Sequence, residues 1–172
     1  MNTDLSLHSY YSMERRKISF DLLVYDTLDE LSPSEKTLMQ IAEGARENAY
    51  APYSKFMVGA AVLLANEEVV IGNNQENASY PSGLCAERVA IFQAGAKYPK
   101  VAIKSIAISV SSKTHIVQRP AAPCGNCRQA IAEYEQNQDS PISIIMKAAS
   151  GKIFKCESLE DILPLAFGSS YL

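Results

Sequence analysis

At 172 residues, with 47% apolar and 20% charged side chains, the chain has the composition of an ordinary globular protein and is long enough to bury a sizeable core in one domain. Its net charge of −3 argues against nucleic acid as the main partner, because polyanions select a basic surface. The longest apolar run, residues 57–65, is too short to cross a bilayer as a helix, so no membrane partner is expected. The first twenty residues lack the apolar centre of an export signal. A cytoplasmic location follows, where the four cysteines stay reduced and available as metal ligands or nucleophiles.

Residues 1 to about 17 are polar and aperiodic and read as a mobile arm. Ile18, Phe20 and Leu22 alternate with Ser19 and Asp21, which predicts a short extra strand or extended arm. Residues 1–31 are together expected as a partly disordered N-terminal extension. The first helix is well marked: Ser32 suits an N-cap, Pro33 the first helical position and Glu35 a capping box. Leu38, Ile41, Ala42 and Ala45 then give it an apolar face out to about Asn48. Residues 50–56 read as a loop. Residues 58–65 and 69–71 read as a hairpin turned at 66–68, its first strand apolar enough for burial on both faces. A polar loop over 73–83 leads to a helix over 85–97, a strand over 103–110, a loop to Pro123 and a helix over 124–136. Strands over 142–146 and 153–156 and a short helix over 159–163 end the chain. The sum is one mixed sheet with helices on its faces, in a single domain over 32–172.

Three cysteines and a glutamate carry the chemistry. Cys85-Ala86-Glu87 opens one predicted helix and Pro123-Cys124-Gly125-Asn126-Cys127 another. A C-x-x-C at a helix start puts two sulfurs on one turn, a pattern that structural zinc sites and redox pairs also use. The third cysteine shifts the balance, since structural zinc takes four protein ligands and catalytic zinc takes three, leaving a place for water. Glu87, two residues beyond Cys85, sits where a carboxylate can handle the protons of that water without binding the metal. Three thiolates leave the cluster negative. Helix N-termini offset this, and Arg88 and Arg128, which follow the two motifs, either hydrogen-bond the thiolates or are plain surface charges.

These segments, Cys85-Ala86-Glu87-Arg88 and Pro123-Cys124-Gly125-Asn126-Cys127-Arg128-Gln129, closely resemble the cytidine deaminase family in its small homotetrameric branch. Tyr53-Ser54-Lys55-Phe56-Met57-Val58-Gly59-Ala60-Ala61 is similar to that family's loop and first strand. Asn74-Gln75-Glu76-Asn77-Ala78 with Tyr80-Pro81 is similar to its ribose-binding segment, and Leu163-Pro164 with Phe167-Gly168 to its C-terminal end. The resemblance implies a three-layer α/β/α sandwich with a mixed, mostly five-stranded sheet. It implies one Zn²⁺ per subunit on Cys85, Cys124 and Cys127, with Glu87 moving protons between water, ring N3 and the departing ammonia. It further implies that the Ala86 amide holds the cytosine O2, that Asn74 and Glu76 bind the ribose 3′-hydroxyl, and that Phe56 packs on the ring. Phe56 also fits a simple core aromatic. Phe167, Ala78 and Tyr80 would act across subunit contacts, so that neighbouring subunits complete each site. The implied activity is hydrolysis of cytidine and deoxycytidine to the uridines, in pyrimidine salvage, on a small-molecule nucleoside.

Cys156 reads as a core thiol, although as a fourth ligand it would close the site. His8 and His115 lack ligand spacing, and the Asp29-Glu30 and Glu67-Glu68 pairs read as solvated turns. Three other readings stay open: a zinc nucleoside deaminase of blasticidin S type, an RNA or DNA cytosine deaminase, and a non-catalytic zinc-stabilised binding module.

Overall fold

The computed structural model describes residues 13–138 and 140–172; His8 and most of the expected arm lie outside them. The elements run β1 (Leu23–Tyr25), α1 (Pro33–Arg46), β2 (Phe56–Leu64), β3 (Val69–Asn73), α2 (Ala86–Lys97), β4 (Ile103–Ser112), α3 (Gly125–Gln136), β5 (Ser143–Ala148) and β6 (Ile153–Cys156). Among the described residues the strands form one six-stranded sheet in the order β1-β6-β5-β4-β2-β3. β4 and β5 run parallel, joined through α3, and the other neighbouring pairs are antiparallel. No helix among the described residues is long and apolar enough to cross a membrane.

The near-continuous apolar strands are explained by burial on both faces. Ala60, Val62 and Leu64 of β2, Ile106, Ile108 and Val110 of β4, and Ile144 and Met146 of β5 face α2 and α3, where Ala90, Ile91 and Ile131 meet them. The alternate residues Ala61, Ala107 and Ile145 turn the other way, onto Leu38, Met39 and Ala42 of α1. This gives the three layers: α1, the sheet, then α2 with α3. Two glycines set how closely the layers approach. A Cβ on Gly59 would stand 2.1 Å from the Ala42 carbonyl oxygen of α1, and one on Gly72 would stand 2.4 Å from the Ala86 carbonyl oxygen of α2.

The capping box forms as the sequence predicts. The Glu35 amide donates to Ser32 Oγ at 3.4 Å, and the Ser32 amide donates to Glu35 Oε2 at 3.1 Å. Such a cap stabilises a helix by about 1 kcal/mol. The other oxygen of Glu35 pairs with Lys155 Nζ of β6 at 2.7 Å, so the same residue also ties α1 to the sheet.

Four expectations are adjusted. The sheet has a sixth strand, β1, beyond the mostly five-stranded expectation, and it lies ahead of residue 32. The alternating Ile18, Phe20 and Leu22 carry no strand assignment and are exposed. Pairing starts at Leu23, because Tyr25 there reaches the apolar layer under α1. The expected helix over 159–163 is a single 3₁₀ turn, Glu160–Ile162. β2 and β4 also extend further than expected: Phe56 pairs with Ser112, and Ser111 and Ser112 carry no apolar signal.

Candidate metal and active site

α2 and α3 begin side by side, with Cys85 as the N-cap of α2 and Cys124 as that of α3. Cys127 lies on the first turn of α3 and is fully buried. The Cys85 and Cys124 sulfurs are 3.8 Å apart, those of Cys124 and Cys127 are 3.5 Å apart, and all three lie within 4.8 Å of one another. Three sulfurs at about 2.3 Å around a tetrahedral zinc ion would be separated by about 3.8 Å, so the cluster fits that ion. Among the described residues, no fourth His, Cys, Asp or Glu joins this group. Cys156 is fully buried in the core between sheet and helices and stands outside the cluster.

The electrostatics favour thiolate at Cys85. Two helix N-termini converge here, each with amides lacking partners inside its own helix. A hydrogen bond from the Cys127 thiol, working against burial and helped by Arg88 and Cys124, lowers the Cys85 pKa to about 5. The Cys127 thiol, which supplies that proton, is pushed up, and burial adds to the rise. Arg88 Nη2 lies 3.9 Å from Cys85 Sγ. Its Nε is buried with no hydrogen-bond partner among the described residues. Arg128 is not brought to the sulfurs. Its Nε donates to the Pro123 carbonyl at 2.7 Å and its Nη1 to the Ile162 carbonyl at 2.6 Å, which ties the C-terminal turn to α3.

Glu87 is 5% exposed, on the first turn of α2. Burial pushes its carboxyl above the ordinary value of 4.5. Its own backbone amide pulls the other way, and the negative charge of Cys85 adds to the rise. Cys85, Cys124 and Glu87 line an open cavity of about 710 Å³, which Phe56, Asn74, Glu76 and Tyr80 also line. Ala86, the first residue of α2, is buried, and its amide has no partner within the helix. Ala78 and Phe167 are exposed and stand outside this cavity lining, with Phe167 stacked on Tyr171 at 5.6 Å. His115 is exposed in the loop after β4, and its Nδ1 hydrogen-bonds the Thr114 hydroxyl at 3.1 Å.

The polar side of the cavity is already organised. Asn74 Oδ1 accepts from the Val58 amide at 2.8 Å, and its Nδ2 donates to the Phe56 carbonyl at 2.9 Å. Glu76 accepts from the Tyr53 amide at 2.9 Å, the Ser54 amide at 3.3 Å and the Ser54 hydroxyl. Sequence reasoning assigned no role to Tyr53 or Ser54. The signal available was their place directly before Phe56, in the loop that turns back over residue 76.

The family model for the "Cytidine and deoxycytidylate deaminase zinc-binding region" matches residues 32–139, from the cap of α1 past the end of α3. The chain belongs to the cytidine and deoxycytidylate deaminase family. A cytidine deaminase of Halalkalibacterium halodurans is 48% identical over 96 residues, covering 56% of this chain and 68% of that protein. One from Mycoplasma pneumoniae is 38% identical over 122 residues, covering 71% and 85%. The crystal structure of the Burkholderia pseudomallei cytidine deaminase superposes with a TM-score of 0.68 at 36% identity, covering 80% of this chain and all of that one. That of the Mycobacterium tuberculosis enzyme gives 0.61 at 30% identity, covering 80% and 99%. Zinc is the family's metal, and the three-cysteine cluster of this deaminase fits it.

Proposed function

We propose that this deaminase hydrolyses cytidine and 2′-deoxycytidine to the corresponding uridines with release of ammonia. The observation that carries the reading is a buried carboxylate, Glu87, beside a three-sulfur cluster on the wall of a nucleoside-sized cavity. Cys85, Cys124 and Cys127 would hold zinc, which would supply Lewis-acid activation of water. The chain's own groups do the rest. Glu87 takes a proton from that water and delivers it to ring N3, then passes a second proton to the departing amine. Its raised carboxyl pKa suits a group that must carry a proton between two partners. The Ala86 amide, directed from the start of α2, holds O2 of the ring, and Phe56 flanks the ring face.

Asn74 and Glu76 bind the ribose 3′-hydroxyl. The charge pattern favours a nucleoside over a nucleotide: Arg88 is the basic side chain among those lining the cavity, and it is directed at Cys85. Among the described residues, the lining then offers a phosphate no further basic side chain. Arg88 offsets the charge of the three thiolates, whereas Arg128 acts on the backbone.

The exposed Tyr80 and Phe167, 79% and 58% accessible, fit a homotetramer in which Ala78, Tyr80 and Phe167 help complete a neighbour's site. The four free cysteines fit a reducing, cytoplasmic setting. An ammonia-release assay on a panel of cytidine, 2′-deoxycytidine, cytidine monophosphate, blasticidin S and a cytosine-containing oligonucleotide tests the assignment. Turnover of the first two, with the rest inert, is the expected pattern. Turnover confined to any of the other three overturns it.

A further inference from the structure

The nucleoside reading leaves open how the sugar-binding and base-binding sides of the cavity are held in register, since they come from different elements. Glu76 lies in the loop after β3, whereas Phe56 opens β2. One side chain bridges them. The Ser54 hydroxyl donates to Glu76 Oε1 and accepts from the Phe56 amide at 3.0 Å. A hydroxyl has one proton to donate, so these two roles use it in a single direction, from Phe56 through Ser54 to Glu76. The Tyr53 and Ser54 amides meanwhile both donate to Glu76 Oε2. The turn that presents them passes through Lys55 at φ 58°, in the left-handed region. From the other side Asn74 Nδ2 donates to the Phe56 carbonyl, so the backbone of Phe56 is gripped at both ends by the ribose segment and its clamp.

We propose that Ser54 is a positioning residue that fixes Glu76 and Phe56 as one unit, so that sugar recognition and ring placement are coupled. Glu76 has two oxygens, and the Ser54 turn fills the inner side of each. Oε1 keeps a lone pair free for a sugar hydroxyl. Without the Ser54 hydroxyl, Glu76 loses its one side-chain donor, and the Phe56 amide loses its acceptor. The inference rests on the assignment of Asn74 and Glu76 to the ribose.

The test compares the wild type with Ser54→Ala and Ser54→Thr. Ser54→Ala is expected to raise KM for cytidine about ten-fold with kcat within about three-fold, the effect of losing one hydrogen bond to a charged group. With 3′-deoxycytidine, which has no 3′-hydroxyl for Glu76 to hold, the same variant should raise KM by less than it does for cytidine, through the loosened Phe56 alone. Ser54→Thr keeps the hydroxyl and should restore the wild-type values. An equal loss on both nucleosides, a loss confined to kcat, or a failure of Ser54→Thr to rescue would overturn the proposal. Amide hydrogen exchange gives a second readout that needs no substrate: the Phe56 amide should exchange at least about ten-fold faster in Ser54→Ala than in the wild type or Ser54→Thr. Unchanged Phe56 exchange in Ser54→Ala overturns the coupling even if kinetics are altered. A wild type that leaves cytidine untouched yet shows the exchange effect rejects the nucleoside reading, and with it the sugar role of the clamp.

Discussion

The sulfurs of Cys85 and Cys124 stand 3.8 Å apart although 39 positions separate them in the chain. Nothing covalent holds them there: each caps a helix, and the two helices are packed on the same face of the sheet by Ala90, Ile91 and Ile131. The packing of the two helix starts, with no bond between the cysteines, brings the sulfurs together. Replacing any one of Cys85, Cys124 or Cys127 by serine is predicted to drop zinc content from about one per chain to below about 0.1 after dialysis against a chelator. Far-ultraviolet circular dichroism should still report a folded chain. Retention of zinc by all three single variants would contradict the ligand assignment.

Cys156 offers the matching control. It is buried between sheet and helices, and burial raises its thiol pKa. Cys156→Ala is predicted to keep zinc and turnover while lowering stability by about 1–3 kcal/mol through the space left in the core. Loss of metal in this variant would show a fourth sulfur in the site.

Gly59 is predicted to resist replacement. The Cβ of Gly59→Ala would meet the Ala42 carbonyl oxygen at 2.1 Å and the Arg46 amide nitrogen at 2.4 Å, and both belong to the backbone of α1. The helix must move off the sheet, at a cost of about 2–3 kcal/mol or more. Thermal unfolding measures it, and an unchanged Tm would mean that α1 is not seated as described.

The ion pair Glu35–Lys155 predicts a pH dependence of stability. Burial of Glu35 opposes its charge, but the hydrogen bond from Lys155 and those from Ser32 outweigh it and hold the carboxyl below the ordinary 4.5. Its contribution is thus full above 4.5 and is lost as pH falls through the lowered value. Lys155 is also burdened by burial, but Glu35 lifts it above 10.5, so that side of the pair persists below 10.5 and is lost only at more alkaline pH. Urea midpoints measured between about pH 5 and about pH 3 should fall steeply in the wild type and less steeply in Glu35→Gln. Parallel acid limbs would remove the pair from the account.

Much of this was legible because local signals and tertiary demands agree. Ser32, Pro33 and Glu35 mark a helix start that the structure uses without change, and the strand expected over 58–65 forms as Phe56–Leu64, packed on both faces. The spacing of Cys124 and Cys127 fixes two sulfurs on one turn, which spacing alone can show. The partnership of Cys124 with Cys85 depends on two helices meeting, and there family resemblance supplied what periodicity could not. The misses share one cause. The alternation of Ile18, Phe20 and Leu22 has the right period for a strand but finds no strand pairing among the described residues, whereas Leu23–Tyr25 finds β6. Arg128 directly follows its cysteine motif, as Arg88 follows Cys85-Ala86-Glu87, yet its side chain reaches the Ile162 carbonyl instead of a sulfur. Ser54 was invisible as a functional residue because its partners, Glu76 and Phe56, are brought to it by the turn over 53–55.

The most direct test of the central claim is turnover of cytidine by the wild type and by Glu87→Gln, with zinc determined in both. The account predicts about one zinc per chain in each protein. It also predicts a rate lower by about 10²–10⁴-fold in Glu87→Gln, because the variant keeps the three sulfurs and loses the proton carrier. Equal rates at equal zinc content would contradict it, and so would a wild type that binds zinc and leaves cytidine and 2′-deoxycytidine unchanged.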